Sequence, residues 1–145
     1  MVNITIVGIK LSVYDYLTIL EAAKSAEIRI PTLCYLKDVN EIGACKMCVV
    51  EVEGMDKLIT SCNTKVKEGM VIRTDTERVT NSRKQVLNMI LANHDVRCFS
   101  CGKSGDCRLQ DLSSEYGIEK SCYQGNHAKL EAKKENPFLT YYPEL

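Results

Sequence analysis

At 145 residues, 45% of them hydrophobic and 26% charged, the chain has the composition of a globular protein and room for one ordinary domain, or a small domain with an appendage. Lys and Arg together number 19, as do Asp and Glu, so no net field gathers nucleic acid or an anionic membrane surface. No stretch approaches the roughly 20 apolar residues of a membrane span, and the opening Met-Val-Asn-Ile-Thr-Ile has neither the basic region nor the apolar run of a signal peptide, so a cytoplasmic location is expected.

In chain order, Val2, Ile4 and Ile6 alternate with Asn3 and Thr5, the period of a half-buried strand. Gly8 supplies a turn, and residues 10–13 can return antiparallel. A helix is expected from Thr18: Glu21 three residues on makes a capping box, and Leu17 can staple against Ala22. Ile19, Ala22, Ala23 and Ala26 share one face, and Pro31 bars continuation. Residues 34–48 read mostly as loop. Short strands follow at 49–52, 58–60 and 70–72, separated by turns at Gly54 and Gly69. The order ββαβββ predicts an α+β, β-grasp (ubiquitin-like) arrangement, one mixed sheet wrapping a single helix.

From residue 75 to 93 the period becomes helical, with Val79, Val86, Ile90 and Asn93 on one side and Leu87 and Leu91 beside them. Asp75, Thr76 and Glu77 suit its start. A shorter helix is expected from Arg108 to Tyr116, ended by Gly117. Beyond it the chain turns polar, with a charged run over 129–135 that reads as a solvated face, and then closes on Phe138, Tyr141 and Tyr142, a surface suited to docking on more protein or a frayed tail.

Seven of the eight cysteines fall into two groups. In a reducing compartment such clusters are metal ligands rather than disulfides. Cys34, Cys45, Cys48 and Cys62 are spaced C-x10-C-x2-C-x13-C. Cys45 and Cys48 can face one centre from a single turn, with Cys34 arriving from the loop's entry and Cys62 from a neighbouring strand. Plant-type [2Fe–2S] ferredoxins use C-x4-C-x2-C and a distant fourth Cys, so the later spacing follows that logic while the first gap is longer. Gly43 and Ala44 are small enough to let backbone N–H groups approach a cluster. Four thiolates also suit zinc, but a zinc ribbon has two C-x2-C knuckles and this group has one.

His94, Cys98, Cys101 and Cys107 form the second group, H-x3-C-x2-C-x5-C, which by itself is as compatible with zinc as with an iron–sulfur cluster. Arg97, Lys103 and Arg108 flank it, either lowering thiolate pKa and offsetting an anionic centre or forming a solvated face. Gly102-Lys103-Ser104 resembles the end of a phosphate-binding loop, but that motif requires Gly where Arg97 stands. His127 and Cys122 read as non-ligands, with Cys122 the one residue placed to substitute for a proposed ligand.

Residues 30–34 (Ile-Pro-Thr-Leu-Cys), 42–52 around Cys45-Lys46-Met47-Cys48, and Ser61-Cys62-Asn63-Thr64 with Glu68-Gly69-Met70-Val71 together resemble one iron–sulfur family. It comprises the N-terminal modules of [FeFe]-hydrogenases, NAD-linked formate dehydrogenases and the large iron–sulfur subunit of respiratory complex I. The run from His94 through Cys107 to Arg108-Leu109-Gln110 is similar to the [4Fe–4S] domain that follows in that family. The resemblance covers residues 1–115 and implies a [2Fe–2S] cluster on Cys34, Cys45, Cys48 and Cys62, and a [4Fe–4S] cluster on His94, Cys98, Cys101 and Cys107. It implies domains at 1–75 and 76–120, the second including its linking helix, with 121–145 a polar linker and C-terminal tail.

No catalytic constellation is visible, so the chain is expected to be a fragment or subunit of a hydrogenase-like oxidoreductase. Its implied partners are the remainder of a larger catalytic chain or a catalytic subunit, and a flavin/NADH-linked or ferredoxin electron-transfer protein. The rival expectation is a zinc-stabilised protein-interaction module without redox activity.

Overall fold

The structure, a computed structural model, describes residues 1–125 and 133–141. It divides into two compact units, Met1–Val86 and Leu87–Leu145.

The first unit begins with β1 (Val2–Ile6) and β2 (Ile9–Val13), paired antiparallel from Val2 with Val13 to Ile6 with Ile9. Val7 and Gly8 turn the chain at φ 49° and 81°, the left-handed pair of a type I′ hairpin. Helix α1 (Ile19–Ser25) starts as expected: the Glu21 N–H donates to Thr18 Oγ1 at 3.2 Å, and the Thr18 N–H donates to Glu21 Oε2 at 3.0 Å. It ends at Ser25, six residues before Pro31, by a different device. The Ile28 N–H donates to the Ala23 carbonyl and the Glu27 N–H to that of Lys24, with Glu27 at φ 59°. That is a Schellman motif with glutamate in the left-handed position usually given to glycine.

Three short strands complete the sheet: β3 (Val49–Val52), β4 (Ile59–Thr60) and β5 (Val71–Arg73). Their order is β2-β1-β5-β3-β4, with β1 and β5 parallel at the centre and the other pairs antiparallel. One face packs on α1 around Ile4, Ile6, Ile19, Ala22, Ala23, Val50, Val52 and Ile72, and Cys48 and Cys62 belong to the same core. This is the expected β-grasp.

Helix α2 (Glu77–Asn93) opens on Thr76, whose Oγ1 accepts from the Val79 N–H at 3.3 Å, and the division between the units falls within it. Its buried stripe runs Val79, Arg83, Leu87, Leu91, not along Val79, Val86, Ile90 and Asn93; Asn93 is exposed. A charged residue thus occupies a position that four-residue spacing would give to an aliphatic one.

In the second unit, a single 3₁₀ turn at Cys98–Ser100 precedes α3 (Arg108–Glu115). Gly117 ends α3 at φ 67°, with the Ile118 N–H bonded to the Ser113 carbonyl at 2.8 Å. Asn88 pins the following segment, accepting from Ser121 Oγ and the Cys122 N–H. Where a polar linker and tail were expected, β6 (Lys133–Asn136) and β7 (Leu139–Tyr141) pair antiparallel across Pro137 and Phe138. His127, most of the charged run and Tyr142 lie outside the described residues. No helix among the described residues is long and apolar enough to cross a membrane.

Candidate metal centres

The first cysteine group is assembled by turns and by hydrogen bonds to the backbone that carries it. Residues 36–40 fold back on themselves, the Leu36 and Asn40 N–H groups each donating to the other's carbonyl, while Asn40 Nδ2 donates to the Cys34 carbonyl at 2.9 Å. This excursion absorbs the long first gap, so the Cys45 N–H still reaches Cys34 Sγ at 3.5 Å. Lys46 then turns at φ 58°, and the Met47 N–H donates to Cys45 Sγ at 3.4 Å. Gly43 lies at φ 66°, and a Cβ there would sit 3.1 Å from Asn63 Nδ2 and 3.3 Å from Thr60. Its smallness serves that turn and that packing.

Cys48 and Cys62 lie deeper, at 1% and 0% exposure. Ser61, itself buried, joins them: its N–H and its hydroxyl both donate to the Cys48 carbonyl, at 3.1 and 2.8 Å. The start of α1 fixes the same segment from the other side. Ile19 and Leu20, whose N–H groups have no partner within the helix, donate to the carbonyls of Thr64 and Ser61.

Electrostatics show that the four thiols converge. Burial pushes the Cys62 thiol up to about 12, helped by its hydrogen bond with Cys48 and by charge on Cys48, Cys34 and Cys45. Burial likewise raises Cys34, backbone N–H donation from Cys45 opposes it, and the Cys45 thiol adds to the rise. At Cys45 burial also acts upward, but N–H groups of Met47 and Cys34, the Cys34 thiol and the Leu33 N–H outweigh it and hold the thiol below its ordinary value. A cationic centre would take these thiols as thiolates and offset the cost that burial puts on their ionisation. They meet as two pairs, Cys34 with Cys45 and Cys48 with Cys62, which is how a two-iron cluster takes four thiolates. The donor set therefore fits a [2Fe–2S] cluster.

The second group is arranged by turns. His94 follows α2, its N–H bonded to the Leu91 carbonyl at 3.3 Å. Cys98 opens the 3₁₀ turn and Cys101 closes it; Lys103 N–H donates to Cys101 Sγ at 3.5 Å. Cys107 is the residue before α3, and its carbonyl accepts from the Asp111 N–H. Gln110 reaches back from α3, its Oε1 accepting from the Gly105 N–H at 3.1 Å, and so closes the loop between Cys101 and Cys107. Among the described residues no hydrogen bond links the four side chains to one another. One imidazole and three thiols on a short, partly exposed run are donors of the kind a [4Fe–4S] cluster would take. Two of the flanking cations are engaged elsewhere: Arg97 pairs with Asp95 at 2.7 Å and Lys103 with Asp106 at 3.7 Å, both at the surface. Cys122 is exposed.

Residues 1–77 match the family described as 2Fe-2S iron-sulfur cluster binding domain, and residues 83–121 match the NADH-ubiquinone oxidoreductase-G iron-sulfur binding region. The chain belongs to this iron–sulfur family. It is a two-cluster electron-transfer module that takes one [2Fe–2S] and one [4Fe–4S] cluster. Over 130 residues it is 46% identical to the NADP-reducing hydrogenase subunit HndD of Solidesulfovibrio fructosivorans, a match covering 86% of this chain and 22% of that one. It is 41% identical over 134 residues to the NADPH-Fe(3+) oxidoreductase subunit alpha of Geobacter sulfurreducens, covering 92% of this chain and 16% of that one. A crystal structure of NAD+-reducing [NiFe]-hydrogenase in the H2-reduced state superposes with a TM-score of 0.84 at 29% identity, over 94% of this chain and 57% of that one. The chain thus spans about a fifth of the length of these curated relatives.

Arg83 is the residue at the first site that sequence reasoning missed. Its Nε donates to the Met47 carbonyl at 3.2 Å and its Nη2 to that of Val49 at 2.8 Å, with the residue 4% exposed. The available signal was a cation four residues from both Val79 and Leu87.

Proposed function

We propose that Cys34, Cys45, Cys48 and Cys62 hold the [2Fe–2S] cluster and that His94, Cys98, Cys101 and Cys107 hold the [4Fe–4S] cluster. The module relays electrons in the cytoplasm between a flavin/NADH-linked or ferredoxin partner and the catalytic centre of a larger chain or a catalytic subunit. The parent enzyme is most like an [FeFe]-hydrogenase and next a formate dehydrogenase. The observation that carries this reading is the convergence of four thiols as two pairs, Cys34 with Cys45 and Cys48 with Cys62.

When bound, each cluster supplies a one-electron carrier. The chain's own residues do the rest. Cys34 and Cys45 are half-buried, on the side of the group nearer solvent, where an electron can be exchanged with a partner. Cys48 and Cys62 anchor the group in the sheet core and exclude water from it. Backbone N–H groups of Cys45 and Met47 point at sulfur and favour the thiolate form. At the second site His94 replaces a thiolate with a neutral ligand, which makes that centre less negative and raises its potential, as in Rieske centres.

Anaerobic reconstitution with iron and sulfide tests this. The expected result is about six irons per chain and two centres distinguishable by EPR on reduction. His94→Ala should impair the second centre alone. A colourless chain that takes up zinc in preference to iron would establish the rival interaction module instead.

A further inference from the structure

The guanidinium of Arg83 is buried in the first unit, and two of its N–H groups end on the carbonyls of Met47 and Val49. Those residues flank Cys48. The carbonyl between them, that of Cys48, is held by Ser61. Three successive carbonyls are therefore fixed from two directions, and the direction taken by Arg83 carries a full positive charge. An aliphatic residue would continue the buried stripe of α2, so the cation at this position is not asked for by helix packing. Those two hydrogen bonds set the guanidinium against the backbone on either side of Cys48, one of the proposed ligands.

We propose that Arg83 sets the reduction potential of the [2Fe–2S] centre, an inference that rests on the ligand assignment above. The step is the arrival of one electron from a reduced partner; no bond forms or breaks, and the site becomes more negative by one charge. A fixed cation beside the Cys48 backbone lowers the energy of the reduced form relative to the oxidised one, and so raises the potential. Arg83 is a positioning and charge-compensating residue; its bonded contacts are with carbonyls, and it acts through the loop that presents Cys48.

The test is a mediated redox titration, followed by EPR, of the reconstituted chain and of Arg83→Gln and Arg83→Lys. The [4Fe–4S] centre of the same molecules reports on folding. In R83Q the [2Fe–2S] couple should shift toward oxidation by tenfold or more at fixed ambient potential, which is about 59 mV for one electron. R83K should return most of that shift, and the [4Fe–4S] couple should not move. If R83Q loses the first cluster, R83K carries the test: a potential within a few mV of the parent's supports the proposal, and a fall as large as the tenfold shift overturns it. It is overturned if R83Q assembles with the parent's potential, or if both variants lose the first cluster alike, as they would if the arginine merely propped up the loop. Failure of the parent chain to take up a [2Fe–2S] cluster would sink the ligand assignment instead.

Discussion

The Ser61 hydroxyl donates to the Cys48 carbonyl at 2.8 Å, so the residue before one buried thiol holds the backbone of the other. Ser61→Ala removes that bond while the Ser61 N–H keeps its own. The chain should lose about 1 kcal/mol in urea unfolding. A chelator should strip the [2Fe–2S] centre faster than in the parent, with the [4Fe–4S] centre unaffected. Absorbance decay under chelator, read beside the EPR of both centres, checks it.

Gly43 combines a left-handed backbone with close neighbours at Thr60 and Asn63. Gly43→Ala meets both penalties, and the backbone conformation alone costs roughly 1–2 kcal/mol. Thermal unfolding should register the loss, and iron per chain should fall toward the four of the second centre.

Gln110 closes the loop between Cys101 and Cys107 through the Gly105 N–H. In Gln110→Ala the second centre should bleach about tenfold faster under chelator, the scale on which outer-sphere partners act. The first centre serves as the control.

The Glu21 carboxyl is held below its ordinary value of 4.5, first by the Thr18 N–H, with the Thr18 hydroxyl and Lys37 adding to it against the cost of burial. A depressed carboxylate pKa means that its stabilisation is fully present above the unfolded value and is lost as pH falls through the folded one. Glu21→Gln keeps an acceptor for the cap but not the charge. It should be about 0.5–1 kcal/mol less stable than the parent at neutral pH. The gap should hold down to about pH 5 and close below 4.5; a gap that widens on acidification would contradict this, and unfolding curves at several pH values decide it.

Val7 sits at φ 49° in the β1–β2 turn, a conformation that a β-branched residue resists. Val7→Asn gives the Asn-Gly pair that type I′ turns favour, and should stabilise the first unit by about 1 kcal/mol in thermal or urea unfolding.

Local patterns carried most of the fold. Alternation over residues 2–6, the Thr18–Glu21 box and Gly117 each describe a device closed within a few residues, and each is found where the pattern puts it. What escaped depended on longer reach or on an unfavoured residue. Glu27 ends α1 in a conformation its side chain does not advertise, well before Pro31. Arg83 is buried because of carbonyls more than thirty residues away, which helical periodicity cannot register. Arg97 and Lys103 were open between supporting the second centre and forming a solvated face, and each pairs at the surface with an acidic neighbour within three residues. The hairpin at 133–141 hides in a polar run, because β6 is Lys-Lys-Glu-Asn and shows no apolar alternation.

Cys48 and Cys62 share a packing cluster with Ile6, Val50 and Ile72. With Cys48 and Cys62 as the proposed ligands, cofactor and core would be one structure, and metal binding there would also be folding free energy. Oxidative loss of the iron would therefore loosen the sheet as well as silence it. Spent copies would open more often than loaded ones, and a protease that samples open chains would clear them first without recognising any particular mark.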